Sequence, residues 1–337
     1  MIAGFVPPKH FEFAEFNNYI PDTNHPSQAK TLQEVRSFIA SLQKDQPSSN
    51  GFFKKLFKSD SSQGSGIYLD GGFGVGKTHL LASAYHQFTG AKVFLSFQEL
   101  MFLVGLQTLN GVVASLKDMK LLVMDELELD DPANTRITTN LLKQLFDSGV
   151  SILTSSNTPP GALGEGKFSV EDFHRELGAL TDRFASIKID GEDYRTLHHI
   201  GEGLGSTWTS SDAELNTLLE SSYLNDKRII DSDFTIFLDV LAKVHPMRIR
   251  SALPMVEAVV LRNVETIAHP HAALRFVYCI DKAYDNNILV MATSAVTIKD
   301  IFHKSYFTGG DTKKYLRTIS RLQEMTHLGY EQLKSIV

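Results

Sequence analysis

The chain has 337 residues, a length typical of about two domains, and its 42% apolar and 21% charged residues are typical of a globular protein. Lys and Arg number 33 and Asp and Glu 39, and the net charge of −6 argues against a bulk polyanion binder while leaving room for a local basic groove. A single cysteine, Cys279, excludes a disulfide framework and a cysteine-rich zinc site. Because we find neither a signal-peptide pattern nor a run of about 18 apolar residues, we expect a cytoplasmic protein without a transmembrane segment.

The first 65 residues are predicted to form an arm, a helix and an exposed loop. Aromatic residues and prolines, among them Phe16, Tyr19 and Pro21, are typical of an extended arm that packs on a domain. Apolar residues at helical spacing predict a helix over residues 27–43. Residues 44–65 are rich in Ser, Lys, Asp, Gln and Gly, which favours an exposed loop.

A regular alternation of short apolar runs and helical segments follows, over residues 66–195. Alternating strands and helices favour a five-stranded parallel sheet covered by helices on both faces. The predicted strands are Ile67–Leu69, Lys92–Leu95, Leu121–Met124, Val150–Leu153 and Ile187–Ile189, and the predicted helices span residues 77–88, 98–117, 135–147 and 171–183.

The alternation stops after Asp190, and the remaining sequence is predicted to form a second, mostly helical domain. We therefore expect three regions, with boundaries at residues 1–65, 66–195 and 196–337. The spacing favours helices over residues 211–222, 233–243, 251–258, 270–285 and 311–327, with weaker strand signals at 260–264 and 288–293.

A phosphate-binding pattern follows the first predicted strand. Its glycines let backbone N–H groups surround a phosphate, Lys77 is expected to reach the β- and γ-phosphates, and the Thr78 hydroxyl is expected to bind Mg²⁺. A glycine-rich turn with an incidental lysine is the alternative, but the position between a strand and a helix favours the phosphate site. The pattern is Gly71-Gly72-Phe73-Gly74-Val75-Gly76-Lys77-Thr78, and we assign these residues and the adjacent His79 to an ATP site.

Two carboxylates end the third predicted strand. Asp125 and Glu126 follow its apolar run, and charged residues at the carboxyl end of a parallel strand lie where such sheets bind ligands. Asp125 is expected to hold Mg²⁺, directly or through water, and Glu126 to polarise the water that attacks the γ-phosphate. A solvated strand end would carry the same residues, and the accompanying phosphate-binding pattern favours the catalytic interpretation.

Polar residues also end the fourth predicted strand. Thr154-Ser155-Ser156-Asn157 precedes two prolines, and a polar side chain here is expected between the acidic pair and the γ-phosphate. We select Asn157 for this role and Ser156 as the second choice. The alternative is an Asx turn before the prolines.

An arginine before the fifth predicted strand is a candidate for completing the site of a neighbouring subunit. Arg183 is predicted to act as an arginine finger that reaches the neighbour's nucleotide. Arg175, on the same predicted helix, is the competing candidate. For each, the alternative is an ordinary surface arginine.

Together these motifs resemble an AAA+ ATPase and, more narrowly, the ZapE-type cell-division ATPases and their Afg-type relatives. The resemblance spans nearly the whole chain, and its most specific part is the C-terminal run Arg317–Met325. The stretches that carry it are Phe16–Asp22 with His25–Gln28, Ile67–Thr78, Asp190–Arg195, and Arg275-Phe276 with Asp281, Tyr284-Asp285 and Arg317-Thr318-Ile319-Ser320-Arg321-Leu322-Gln323-Glu324-Met325.

The resemblance implies an AAA+ P-loop core, a mostly helical lid and a homo-oligomeric ring, expected to be a hexamer. It implies ATP and Mg²⁺ as cofactors, and an ATP-hydrolysing remodeller of a protein partner in the division apparatus. It also implies that Arg275 senses the γ-phosphate, although a helix-surface arginine would look the same. Arg317 and Arg321 lie one helical turn apart, on a face expected to meet the core, a neighbouring subunit or solvent.

Two other functions stay open. A DNA-associated ATPase of helicase-loader or initiator type would share this core, and the acidic balance argues against it. A scaffold that binds nucleotide without hydrolysing it would keep the phosphate pattern, and the intact pair Asp125 and Glu126 argues against it. The chain departs from the resembled family at Asp130–Asn134 and at Asp172–Glu176, and the second departure leaves the choice between Arg175 and Arg183 open.

Overall fold

The computed structural model describes residues 4–43, 63–129, 132–160, 178, 182–193, 205–245, 248–249 and 252–334. The chain divides into two compact units. The first consists of Met1–Pro7 and Phe11–Asp193, and the second of Pro8–His10 and Tyr194–Val337. Most of the loop predicted at 44–65, most of the helix predicted at 171–183, and Arg175 lie outside the described residues.

The first unit is built around a five-stranded parallel sheet, which confirms the predicted fold class. Its elements are α1 (Pro26–Gln43), β1 (Gly66–Gly71), α2 (Lys77–Gln87), β2 (Lys92–Ser96), α3 (Phe97–Leu116), β3 (Leu121–Asp125), α4 (Pro132–Asp147), β4 (Ser151–Ser156) and β5 (Phe184–Ile189), and a short 3-10 helix at Lys9–Phe11 precedes them in the chain. The strands lie in the order β2-β3-β4-β1-β5.

Both faces of the sheet are buried at β1, β3 and β4, as their apolar runs predict, whereas the edge strand β5 exposes Ser186 and Lys188. Leu122 and Met124 of β3 pack in one apolar cluster with side chains of α3 and α4. Leu121 and Val123 pack in a second cluster with side chains of α1 and α2. Because alternate side chains of a strand point to opposite faces, a strand covered on both sides needs a continuous apolar run.

The position of β4 determines which strand ends lie together. β4 pairs with β1 on one side and with β3 on the other, and all three run parallel. In this register Asp70 lies opposite Ser156, and Met124 lies opposite Thr154. The phosphate loop after β1, the acidic pair at the end of β3 and the polar end of β4 are therefore neighbours at one edge of the sheet.

One described helix, α3, is long and apolar enough to cross a membrane by length and composition. It connects β2 to β3, which are paired neighbours in the parallel sheet. Its Leu100, Leu103 and Val112 side chains are buried in the core. Because a parallel pair requires a long crossover connection of this kind, one such helix is weak evidence for a membrane span.

The second unit combines helices with a four-stranded parallel sheet. Its main elements are β6 (Trp208–Thr209), α5 (Asp212–Leu219), β7 (Ile229–Asp233), α6 (Phe234–Lys243), β8 (Ala258–Val264), α7 (Pro270–Asp285), β9 (Leu289–Ser294) and α8 (Thr312–Lys334). The strands lie in the order β6-β9-β8-β7. Short 3-10 helices lie at Ser222–Leu224, Leu253–Met255, Ile298–Asp300 and Lys304–Thr308.

The helical character predicted for this region is confirmed, but its sheet is larger than the sequence indicates. The strand signals at 260–264 and 288–293 correspond to β8 and β9, whereas β6 and β7 have no predicted counterpart. The helix predicted at 251–258 is wrong, because over its described residues a short 3-10 turn leads into β8. β8 begins with a buried run rich in β-branched residues, which favours a strand.

A buried ion-pair network joins α7 to α8. The Asp281 carboxylate accepts hydrogen bonds from Arg317 Nη2, at 2.6 Å, and from Arg321 Nη1. Burial alone raises the pKa of Asp281, but the two guanidinium groups outweigh it and hold that pKa below its ordinary value. Both arginines therefore face α7 of their own unit, a contact that the sequence did not indicate.

Removing the shared carboxylate should destabilise the second unit. Asp281→Ala leaves two buried guanidinium groups without their anion, and we expect the free energy of unfolding to fall by about 3–5 kcal/mol. The single tryptophan of the chain, Trp208, lies in this unit, so urea unfolding followed by tryptophan fluorescence measures the loss.

The matched control is Glu257→Ala, which removes an exposed ion pair and an exposed backbone hydrogen bond with Arg228 and should shift the transition much less. If Asp281→Ala also unfolds at the urea concentration of the unmodified chain, the network does not stabilise the fold.

Candidate nucleotide site

The phosphate loop connects β1 to α2, where its sequence pattern predicts it. Gly74 and Gly76 have φ angles of 65° and 86°, in the left-handed region that glycine adopts at little cost. A Cβ atom at Gly76 would lie 2.4 Å from the ring of Tyr19, and one at Gly74 would lie 1.8 Å from the Asp193 carboxylate. Both positions therefore need glycine for space as well as for backbone conformation.

The Lys77 ammonium group lies within the phosphate loop and is buried. Its Nζ donates hydrogen bonds to the carbonyl oxygens of Gly71, at 2.8 Å, and Gly72, at 2.6 Å. It also donates to Asn157 Oδ1 at 2.9 Å. The structure therefore brings Asn157, at the polar end of β4, to the lysine of the loop.

Two predicted metal ligands meet at the start of α2. Thr78 Oγ1 donates a hydrogen bond to Asp125 Oδ2 at 2.9 Å. Adjacent oxygen ligands of an octahedral Mg²⁺, each roughly 2.0–2.1 Å from the metal, lie about 2.9 Å apart. A hydroxyl and a carboxylate oxygen at this separation fit Mg²⁺ in both ligand type and spacing.

The electrostatics of Asp125 also suit a cation. Burial raises the pKa of this carboxyl, and the neighbouring Glu126 carboxylate raises it further. Hydrogen bonds from Ser155 and Thr78 and the charge of Lys77 act in the opposite direction. A divalent cation would favour the ionised form in the same way, by supplying positive charge beside it.

The polar end of β4 contacts the acidic pair directly. Ser155 Oγ donates a hydrogen bond to Asp125 Oδ1 and accepts one from the Glu126 N–H at 3.1 Å. Ser156 Oγ instead donates to the Leu127 carbonyl at 2.8 Å. The sequence offers Asn157 and Ser156 for the polar contact at this strand end, and the structure places Asn157 at Lys77. Ser155 is a site residue that the sequence did not single out, and its one signal is its position two residues before Asn157.

The N-terminal arm packs beside the phosphate loop, as its aromatic residues predict. Tyr19 Oη donates a hydrogen bond to the Val75 carbonyl at 3.1 Å, and burial raises the pKa of Tyr19 to about 12, so the hydroxyl stays protonated at neutral pH. His79 Nε2 lies 3.1 Å from the Glu15 carbonyl oxygen and 2.8 Å from Asn18 Oδ1. The His79 side chain therefore joins α2 to the arm, and its assignment to the ATP site stays a prediction.

Arg183 lies at the opposite edge of the sheet from the phosphate loop of its own chain. It precedes β5, whose first residue pairs with Gly66, and about 16 Å of strand separates Gly66 from Gly71. Its guanidinium donates to Asp147 Oδ1 at 3.0 Å and to Gln63 Oε1 at 2.9 Å. A role in its own phosphate site is excluded by this position, and a role at a neighbour's site stays a prediction.

Arg275, the residue implied to sense the γ-phosphate, lies on α7 in the second unit. Its Nη1 donates hydrogen bonds to the carbonyl oxygens of Val244, at 2.6 Å, and Leu241, at 3.3 Å. Arginine at the last carbonyls of a helix satisfies groups that lack a partner within the helix. The described contact is therefore a cap on α6, and the nucleotide role stays a prediction.

Comparison with known proteins identifies the family. The sequence matches the AFG1-like ATPase family over residues 8–220 and 227–333. The chain belongs to this family. This AFG1-like ATPase is also 24% identical over 299 residues to the cell division protein ZapE of Escherichia coli strain K12, with 77% of each chain covered. The resemblance drawn from the motifs is confirmed.

Two solved structures are also similar. That of DnaI is 21% identical, covers 55% of this chain and 93% of its own, and has a TM-score of 0.40. That of domain III of the replication initiation protein DnaA from Thermotoga maritima is 13% identical, covers 71% of this chain and 93% of its own, and also has a TM-score of 0.40. The family assignment rests on the sequence match alone.

Removing the Tyr19 hydroxyl should weaken nucleotide binding. Its hydrogen bond holds the Val75 carbonyl on the arm side of the loop, so Tyr19→Phe loses one contact that shapes the phosphate cradle. A net hydrogen bond of about 0.5–1.5 kcal/mol corresponds to an increase of about 2–12-fold in Kd for a fluorescent ATP analogue.

The control is Tyr223→Phe in the second unit, which should not alter that Kd. Equal affinities for the Tyr19→Phe variant and the unmodified chain would show that the arm does not position the loop.

Proposed function

We propose that this AFG1-like ATPase hydrolyses ATP to ADP and phosphate with Mg²⁺ as its cofactor. The observation that carries the proposal is the convergence of Lys77, Thr78, Asp125 and Asn157 at one edge of the sheet, with Glu126 next in the chain. These residues supply a cation for the phosphates, two metal ligands, a polar contact and a carboxylate base, which are the groups that phosphoryl transfer to water requires.

Each group has a separate task in the proposed reaction. Loop amides and Lys77 bind the β- and γ-phosphates, and Asn157 hydrogen-bonds the γ-phosphate. Thr78 and Asp125 would hold Mg²⁺, which when bound neutralises charge on the phosphate oxygens. Glu126 orients a water and accepts its proton as the new oxygen–phosphorus bond forms. The bond from the γ-phosphorus to the bridging oxygen breaks, and that oxygen leaves with ADP.

We further propose that the chain works as a ring, expected to be a hexamer, in which Arg183 completes the neighbour's site. Its location at the sheet edge away from its own phosphate loop supports a role between subunits. The 24% identity to a cell division protein supports a protein partner in the division apparatus, remodelled in the cytoplasm.

Glu126→Gln should abolish turnover while ATP binding is retained. An amide cannot accept the proton of the attacking water, and loss of a general base lowers the rate by about 10²–10⁴-fold. Phosphate release measures turnover, and a fluorescent ATP analogue measures binding. Glu128→Gln, which removes a carboxylate two residues further along, is the matched control and should stay active.

Full turnover by Glu126→Gln would exclude Glu126 as the base. ATP binding without turnover by the unmodified chain would instead favour a nucleotide-dependent scaffold. Glu126→Gln also tests the proposed partner. This variant should stay bound to ATP, so a tagged Glu126→Gln chain should accumulate at the division site of growing cells. DNA-stimulated turnover that falls steeply with salt would favour a helicase-loader or initiator function.

Mixing two inactive variants should restore phosphate release. Glu126→Gln lacks the base and Arg183→Ala lacks the finger, so a mixed ring contains sites with an intact Glu126 on one subunit and an intact Arg183 on the next. Arg136→Ala, an exposed arginine on α4, is the control and should be active alone. Normal turnover by Arg183→Ala alone would reject Arg183 as the finger and leave Arg175 as the candidate.

A further inference from the structure

We propose that Ser155 is a positioning residue for hydrolysis, because its single hydroxyl holds both the metal-binding carboxylate of Asp125 and the backbone of Glu126. The proposal rests on the proposed ATPase function and deepens it. Ser155 itself does not touch the substrate in this assignment. It determines where the metal ligand and the base lie relative to each other.

The Asp125 carboxylate is oriented by two hydroxyl groups. Ser155 Oγ donates to Oδ1, and Thr78 Oγ1 donates to Oδ2 at 2.9 Å. Two donors on opposite oxygens fix the plane of the carboxylate. Ser155 is 1% exposed, so water does not compete for this hydrogen bond.

The backbone of Glu126 adopts an uncommon conformation. Its φ angle is 55°, in the left-handed region that residues other than glycine adopt rarely. Such a conformation persists where surrounding contacts hold it, and here the Glu126 N–H donates to Ser155 Oγ and to Asp125 Oδ1, both at 3.1 Å. The next N–H, of Leu127, donates to the Ser155 carbonyl at 2.8 Å. Ser155 therefore holds the chain where it leaves β3, and so determines where the Glu126 side chain starts.

The neighbouring hydroxyls of β4 contact backbone carbonyls instead. Thr154 Oγ1 donates to the Met124 carbonyl at 2.9 Å, and Ser156 Oγ donates to the Leu127 carbonyl at 2.8 Å. Both contacts join β4 to the backbone around β3 without involving a carboxylate. Thr154 is 0% exposed, so Thr154→Val removes a buried hydroxyl from the same strand and keeps the shape of the side chain. It is a close control for a purely structural effect.

The test compares Ser155→Ala, Thr154→Val and Ser155→Thr in the full chain. Loss of a residue that orients a metal ligand lowers metal affinity or activity by about 10–100-fold. We expect Ser155→Ala to raise the Kd of Mn²⁺, measured by electron paramagnetic resonance with ADP present, and to lower kcat, each within that range. Binding of a fluorescent ATP analogue in EDTA should stay unchanged. Thr154→Val should change neither the Kd of Mn²⁺ nor kcat, and Ser155→Thr, which keeps the hydroxyl, should restore both.

The outcomes separate this proposal from the proposed function. If the unmodified chain hydrolyses ATP and Ser155→Ala matches it in Mn²⁺ affinity and kcat, the positioning role is wrong and the ATPase assignment stands. Equal losses in Ser155→Ala and Thr154→Val would also overturn it. If the unmodified chain does not hydrolyse ATP, the proposed function fails. The Mn²⁺ affinity of the variants then still decides whether Ser155 orients the Asp125 carboxylate. If Ser155→Ala does not fold, Ser155→Cys compared with Thr154→Val gives the same decision, because the thiol is only moderately larger than the hydroxyl and is a weak hydrogen-bond donor.

Discussion

The structure of the nucleotide site depends on the insertion of β4 between the strand that leads to the phosphate loop and the strand that ends in the acidic pair. Because β4 is hydrogen-bonded to both, its polar end can reach both: Asn157 contacts Lys77, and Ser155 contacts Asp125. Thr78, the residue after Lys77, donates to the other oxygen of Asp125. The groups that would bind phosphate and the groups that would activate water are therefore both hydrogen-bonded to residues at the end of β4, so a shift of β4 would disturb both.

Much of the fold could be predicted because its signals are local. The inner strand β3 is apolar on both faces, and its run Leu121–Met124 identifies it without knowledge of its neighbours. β7 could not be found this way, because it is an outer strand of the second sheet and its second half, Asp231–Asp233, is polar. The region at 251–258 mixes a short turn with the start of β8, and apolar residues spread across that junction imitate helical spacing.

The candidate site also contains residues that a local sequence pattern identifies and residues that it does not. The phosphate loop and the acidic pair are contiguous motifs, so their residue types are sufficient to find them. Ser155 lies 29 and 30 residues from its two partners, and its contacts follow from strand pairing that no local pattern contains. The spacing of Arg317 and Arg321 correctly gave them a common face, but their shared partner Asp281 lies 36 and 40 residues earlier in the chain. In both cases the sequence identifies the side chain and the fold supplies its partner.

The contacts of Lys77 have a consequence for ligand selection. An ammonium group has three donors, and here three oxygens of the protein, on Gly71, Gly72 and Asn157, already accept from it. An arriving phosphate must displace at least one of them, so the number of hydrogen bonds hardly changes on binding. The gain lies in replacing the partial charge of a neutral oxygen by the full charge of an anion. These protein oxygens therefore compete with the ligand for the Lys77 ammonium group. A weakly charged anion displaces them less readily than a polyphosphate does.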